Sequence, residues 1–226
     1  MTTSGTATFN LDLTELVEEA FERAGAEMRT GYDLRTARRS LNLLFADWAN
    51  RGVNMWTFEQ GTIPLVQGTA SYDLPSDTVD LIEHVVRTGS GTNQYDISIT
   101  RISVSTYASI PTKTAQGRPI QVLVNRTNTP SVTVWPTPDQ SSYYTLVYWR
   151  LRRIQDAGTG ANTMDMPFRF IPAMVAGLAY YVAMKVPGGL DRLQVLKQQY
   201  DEAWDLASSE DRDKAAVRFV PRSMHI

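Results

Sequence analysis

The chain has 226 residues, no cysteine and a formal net charge of −2. The lack of cysteine excludes disulfide scaffolds, thiolate metal sites and cysteine nucleophiles, and the nearly balanced charge gives no general attraction to nucleic acid phosphates. A chain of this length can bury a core of its own, as one large domain or two small ones.

The opening residues are polar, and they predict a flexible arm. The sequence MTTSGTATFN lacks the basic start and the apolar run of a secretory signal. We therefore expect a soluble protein that is made in a cytoplasm and stays there until it is assembled into something.

Two amphipathic helices are predicted after this arm. The apolar stripe of the first contains Leu13, Leu16, Val17, Ala20, Phe21 and Ala24. Asp12 or Thr14 can cap its start, and Gly25 ends it. The second helix runs from about residue 33 to residue 50. Because a two-helix hairpin leaves a broad apolar face of each helix open, this pair needs further cover.

From residue 53 to residue 151 the hydrophobic period changes to two, which is typical of strands. The predicted strands are 55–60, 62–66, 70–74, 81–87, 95–100, 120–125, 131–135 and 143–151. A short helix is predicted at 104–109. This pattern predicts an antiparallel β domain, either a sandwich or a barrel-like structure.

The most informative helical pattern lies near the C-terminus. Residues 170–184 contain no charged side chain and have apolar residues on most sides, which predicts a buried helix. This run is too short to span a bilayer, which takes about 20 apolar residues. The sequence from Pro187 to Gly189 ends it, and a second amphipathic pattern begins at Leu190. We expect these two helices to complete a bundle with the N-terminal pair.

The predicted fold is therefore α+β, a helical bundle built from both chain ends with an inserted antiparallel β domain and an extended C-terminal tail. The predicted parts are residues 1–53 (the arm and two bundle helices), 54–160 (the β domain), 161–210 (the helical hairpin) and 211–226 (the tail). A terminus that mixes apolar and basic side chains favours docking on another molecule, although packing on its own subunit is the alternative. The docking residues of the tail are Val217, Arg218, Phe219, Val220, Pro221 and Arg222.

Residues that could carry out catalysis are few. His84 lies inside a predicted strand with no second histidine or cysteine near it to form a metal site, and His225 is next to the last residue. The sequence contains no nucleophile-elbow, P-loop or dinucleotide-binding motif. We expect no catalytic residue, no metal site and no cofactor.

Charged clusters have more than one interpretation. Three arginines of the second helix and three at the end of the last strand could bind DNA phosphates, but such clusters more often form ion pairs on a surface or between subunits. These residues are Arg35, Arg38 and Arg39, and Arg150, Arg152 and Arg153. Carboxylate pairs in the β domain could act in a glycosidase, which needs two of them about 5 to 10 Å apart.

Three stretches of the chain together resemble one known family. They are RSLNLLFADWANRGVNMWTFEQGTIPLVQGTASYDLP from residue 39, MPFRFIPAMVAGLAYYVAMKVPG from residue 166, and EDRDKAAVRFVPR from residue 210. In this order they resemble the head-to-tail adaptor proteins of short-tailed bacteriophages, the tail tubular protein A or head-completion type. The resemblance covers most of the chain.

This resemblance implies a structural protein of the virion, located at the head-to-tail interface and assembled in the host cytoplasm. Related adaptors form a ring of twelve copies that joins the portal to the tail nozzle, while packaged double-stranded DNA passes through the channel without sequence-specific binding. Their C-terminal segment reaches into the portal, and residues 217–222 occupy the matching place here. A slightly acidic chain suits such a conduit, because a basic lining would bind phosphates.

Closing a ring requires two different patches on each subunit. The candidates are charged residues of the second and fourth predicted bundle helices: Arg35, Arg38, Arg39, Lys197, Glu202 and Asp205. Two other functions stay open. One is a DNA-binding protein that uses the arginine face of the second helix, and the other is a cell-wall glycosidase associated with a phage particle.

Overall fold

The computed structural model describes residues 5, 11–29, 31–52, 55–89, 91–158 and 163–212. The chain divides into two compact units. The helical unit contains the described residues up to Trp56 and from Ile154 onward, and the β unit runs from Thr57 to Arg153. The predicted docking residues 217–222 lie outside the described part of the chain.

The described residues form a mixed α+β structure, which confirms the predicted fold class. The helices are α1 (Leu13–Ala24), α2 (Gly31–Arg51), α3 (Val104–Ser109), α4 (Ile171–Ala183) and α5 (Leu193–Glu210). The strands are β1 (Phe58–Pro64), β2 (Ser71–Asp73), β3 (Thr78–Thr88), β4 (Tyr95–Ser98), β5 (Thr100–Arg101), β6 (Gln121–Asn125), β7 (Ser131–Trp135) and β8 (Tyr144–Arg152).

Helix α4 is the central element of the helical unit. It contacts α1, α2 and α5, and Met174, Leu178 and Val182 are almost completely buried. Its lack of charged side chains explains this position, because a buried charge without a partner is very costly. The predicted buried helix is thus confirmed. None of the described helices is long and apolar enough to cross a membrane.

An aromatic cluster joins α2, α5 and the turn before α4. The ring centroids of Trp48 and Trp204 lie 4.8 Å apart, and those of Trp48 and Phe170 lie 5.7 Å apart. The Trp56 ring also packs on Phe170, with the two centroids 4.6 Å apart. These rings bury a large apolar area in one place, and they connect residues from both ends of the chain.

Helix α1 begins with a reciprocal cap. The backbone N–H of Glu15 donates to Oδ1 of Asp12 at 2.8 Å, and the backbone N–H of Asp12 donates to Oε2 of Glu15 at 3.3 Å. Gly25 ends the helix with a φ of +81°, a conformation that favours glycine. The sequence left Asp12 and Thr14 open as caps, and the structure selects Asp12.

The β unit contains two four-stranded sheets with the orders β1-β8-β3-β4 and β2-β7-β6-β5. Side chains from both sheets, including Leu81, Val134 and Leu146, belong to one hydrophobic cluster. The described strands therefore form a sandwich, one of the two predicted forms, rather than a closed barrel.

Several details of the β unit differ from the prediction. The predicted strand 95–100 is divided into β4 and β5, which belong to different sheets. The pair β5–β6 is parallel, with Thr100 opposite Gln121, whereas all pairs were expected to be antiparallel. The predicted strands 55–60 and 62–66 are a single strand, β1, preceded by a 3₁₀ turn. Gly61 lies within β1, where it pairs with Tyr148 of β8. The Tyr148 ring occupies the space that a side chain at this position would need, which explains the glycine.

Candidate functional site

Among the described residues there is no group of three or more His, Asp or Glu side chains that could hold a metal ion. His84 lies in β3 and is only 8% exposed. Its burial lowers the pKa of the imidazole, which favours the neutral form. His84 is therefore part of the interior of the β unit.

The arginines at the end of β8 are structural. Arg150 is 9% exposed, and its Nη1 and Nη2 lie 2.5 Å from Asp77 Oδ1 and 2.7 Å from Glu59 Oε2. Arg152 Nε contacts the other oxygen of Glu59 at 2.8 Å. This network connects β8 to β1 and to the start of β3. Arg150 and Arg152 thus form ion pairs, as expected, but they do so within the β unit, and Arg150 is buried rather than on a solvated face.

Asp77 and Asp96 of the β unit do not have the properties of a proton donor. The hydrogen bond from Arg150 is the main cause of a lowered pKa at Asp77, and the Arg87 guanidinium lowers the pKa of Asp96 in the same way. A glycosidase acid needs a raised pKa instead. Asp80 is likewise engaged, since Arg101 Nη2 lies 2.8 Å from its Oδ1.

The outer side of α2 forms a basic surface that we call the ridge. Its side chains, which line two depressions, include Tyr32, Asp33, Arg35, Arg38, Arg39 and Leu43 on α2, together with Lys185 just after α4. Tyr32 and Leu43 are 63% and 60% exposed. Neither Arg35 nor Arg38 forms an ion pair with any residue that the structure describes, and the Nε of Arg38 is buried without a hydrogen-bond partner there.

Lys185 adds a constrained positive charge to the ridge. Its Nζ donates a 2.6 Å hydrogen bond to Oγ of Ser40. Burial, followed by the nearby charge of Arg39, lowers the pKa of this ammonium group. The ridge thus holds several cations close together, an arrangement that an approaching anion would stabilise.

An acidic depression between α1, α4 and α5 forms a second surface, which we call the groove. Its two adjoining parts share Arg23 and Pro172. The floor is apolar and comes from α4: Ile171, Pro172, Val175 and Ala176. The polar wall residues are Glu15, Glu18, Glu19, Glu22 and Arg23 of α1, and Gln199 and Glu202 of α5. Leu206, also in the wall, is 75% exposed.

The structure brings some of the candidate intersubunit residues together and separates others. Arg35, Arg38 and Arg39 lie side by side on the ridge. Glu202 lies in the groove wall, where Gln198 donates a 2.8 Å hydrogen bond to it. Lys197 and Asp205 are exposed on α5 but do not line the groove. The acidic character of α1 is evident in the sequence, and its 15, 18, 19, 22 spacing places all four glutamates on one helix face, but the groove that they line was not predicted.

Residues 11–222 match the model of the SU10 adaptor protein family, and the chain belongs to that family. It is therefore a phage structural adaptor and a virion component, as the resemblance to head-to-tail adaptors indicated. This family consists of structural proteins, not enzymes. A comparison with curated proteins found no match.

Proposed function

We propose that this protein is a ring-forming head-to-tail adaptor that joins the portal to the tail nozzle and forms part of the DNA conduit. The observation that carries the proposal is the family match over residues 11–222, which includes both units. A ring of twelve copies beneath the portal is the assembly that we infer. Packaged double-stranded DNA passes through its channel without sequence-specific contacts.

The helical unit supports ring formation because it carries two surfaces of different charge. A closed ring uses heterologous contacts, in which one patch of a subunit binds a different patch of its neighbour. The ridge and the groove have no lining residue in common, so one contact leaves the other surface free for the next subunit.

We further propose that the tail docks on the portal through Val217, Arg218, Phe219, Val220, Pro221 and Arg222. Support comes from the end of α5, which is fixed to the helical unit. The carboxylate of Asp211 is buried, pairs with Arg169 and accepts the backbone N–H of Met55 at 3.0 Å. Beyond this anchor, residues 213–226 can extend at most about 50 Å when fully stretched.

The position of Asp211 also determines the residue at which a truncation of the tail should begin. The predicted tail began at residue 211, but deleting Asp211 would leave the Arg169 guanidinium without its partner and would destabilise the helical unit. A truncation that removes only residues 213–226 keeps this ion pair. Such a variant separates docking from folding.

The test is capture of the protein on immobilised portal rings of the same phage. We expect the variant lacking residues 213–226 to lose at least about tenfold in retained protein, while its circular dichroism spectrum and unfolding temperature stay those of the full chain. A matched variant lacking only residues 223–226 keeps the docking residues and should bind as the full chain does. Undiminished capture of the shorter variant would contradict the tail proposal.

A further inference from the structure

We propose that in the assembled ring the groove of one subunit receives the ridge of the next copy of the chain. This inference rests on the proposed adaptor function, since it assigns the contact that closes the ring. A second copy is the only occupant proposed for either surface.

The apolar parts of the two surfaces match in character. On the ridge, Tyr32 and Leu43 are exposed on the same side of α2, with Arg35 and Arg39 between them at helical spacing. On the groove, the apolar floor of α4 and the exposed side chain of Leu206 form a depression. Exposed apolar groups that adjoin in this way typically mark a protein interface.

The charges of the two surfaces are opposite. The groove wall has five carboxylates and one guanidinium, from Glu15, Glu18, Glu19, Glu22, Glu202 and Arg23. Of these, Glu19 pairs with Arg23 at 2.7 Å, which leaves an acidic excess. The ridge has three guanidinium groups and the Lys185 ammonium, while Asp33 at the start of α2 accepts the backbone N–H of Arg29. Such complementarity speeds association and fixes its orientation.

Carboxylates of a partner surface would compensate the positive charges of the ridge. Arg35 and Arg38 have no ion-pair partner within the described ranges, and Lys185 and Arg39 repel each other. Carboxylates from a neighbouring subunit would reduce this repulsion. Duplex DNA would also neutralise the ridge, but it would leave the acidic, apolar-floored groove without a role.

The first test uses the fact that the chain contains no cysteine. A double variant, Leu43→Cys with Leu206→Cys, carries one thiol on the ridge and one on the groove. When rings assembled on portal are treated with a short bismaleimide linker, we expect a ladder of three or more joined subunits on a denaturing gel. Each single variant should give no species larger than a dimer, because one thiol per subunit cannot extend a chain.

The outcomes of this test separate the inference from the proposed function. Rings that form on the portal but give no ladder would overturn the ridge–groove contact and leave the adaptor function standing. Protein that forms no ring on the portal, with or without the linker, would overturn both. A ladder from the double variant alone supports the heterologous contact.

Charge reversal provides an independent readout on the same portal-assembled rings. Arg38→Glu with Arg39→Glu, and Glu18→Arg with Glu19→Arg, should each reduce assembly by about tenfold or more. A mixture of the two variants should restore joining between unlike copies, because a reversed ridge then meets a reversed groove. Arg118→Glu, an exposed change in the β unit, is the matched control and should assemble normally.

DNA binding by the ridge is the outcome that would favour another partner. Salt-dependent binding of a DNA duplex that is lost in the Arg38→Glu, Arg39→Glu variant, together with normal ring assembly by that variant, would overturn the inference. The ridge–groove contact is supported if the unmodified protein binds DNA weakly or not at all and the Arg38→Glu, Arg39→Glu variant fails to assemble.

Discussion

The indole Nε1 of Trp48 donates a 2.8 Å hydrogen bond to the phenolic oxygen of Tyr200, 152 residues further along the chain. Both side chains are buried. The bond joins α2 to α5 beside the aromatic cluster, and it gives the indole N–H a partner in an otherwise apolar environment. The first and last parts of the described chain thus share one core.

Replacing Tyr200 by Phe should destabilise the helical unit. The variant keeps the ring but removes the acceptor, so the buried N–H of Trp48 loses its hydrogen bond. We expect a loss of about 1 to 3 kcal/mol in the free energy of unfolding, measured by urea denaturation. Tyr32→Phe, which removes an exposed hydroxyl from α2, should leave stability unchanged. Equal stability of the two variants would show that the Trp48–Tyr200 bond contributes little.

Replacing Gly177 by Ala should also destabilise the helical unit, although alanine favours helices by about 1 kcal/mol over glycine. A β-carbon at this position in α4 would lie 2.9 Å from Leu44 Cδ2 and 2.9 Å from Tyr200 Cε2. Overpacking of this kind costs about 1 to 3 kcal/mol. Thermal unfolding of the variant should occur at a lower temperature than that of the unmodified protein.

A glycine with free space around it provides the control for this change. Gly31 begins α2, and a β-carbon added there would meet no described atom within 4 Å. Gly31→Ala should therefore be neutral or slightly stabilising. If Gly177→Ala raised the unfolding temperature as much, the close packing of α2 and α5 on α4 would be contradicted.

The stability of the β unit should fall in acid because of Asp77. Arg150 holds the pKa of this carboxyl below its ordinary value of 3.8. A carboxyl with a lowered folded pKa stabilises the protein above the unfolded pKa, and this contribution disappears as the pH falls through the folded value. We expect Asp77→Asn to lower stability at pH 7 and to reduce the loss between about pH 4 and pH 2.

Hydrogen exchange of the peptides that cover β8 would measure this effect within the β unit. Asp96→Asn is the matched control, because its partner Arg87 has a side chain that is 33% exposed, against 11% for Arg150, and exposed pairs add little to stability. An Asp77→Asn variant with the same protection and the same acid sensitivity as the unmodified protein would refute the role of the network.

The local parts of the fold were predictable from the sequence. The uncharged run that forms α4 depends on neighbouring residues, so periodicity was sufficient there, and capping rules limited the start of α1 to Asp12 or Thr14. The continuation of β1 through Gly61 was not predictable, because it depends on Tyr148 in another strand. The ion pairs of Arg150 were also not predictable, because its partners Asp77 and Glu59 lie 73 and 91 residues away along the chain.

The candidate site was predictable only in part for the same reason. The arginines of the ridge share one helix, and their spacing places them together. The groove combines residues of α1, α4 and α5, so only the packing of the three helices shows that Glu19 and Glu202 lie beside one apolar floor. Sequence spacing revealed the charge of each helix but not the surface that they form together.

Electron microscopy of the protein mixed with portal rings of the same phage tests the central claim most directly. The adaptor function predicts an added ring of twelve copies on one face of the portal, coaxial with its channel. Portal rings that stay bare at saturating protein concentration, or that carry scattered single copies without rotational symmetry, would contradict it.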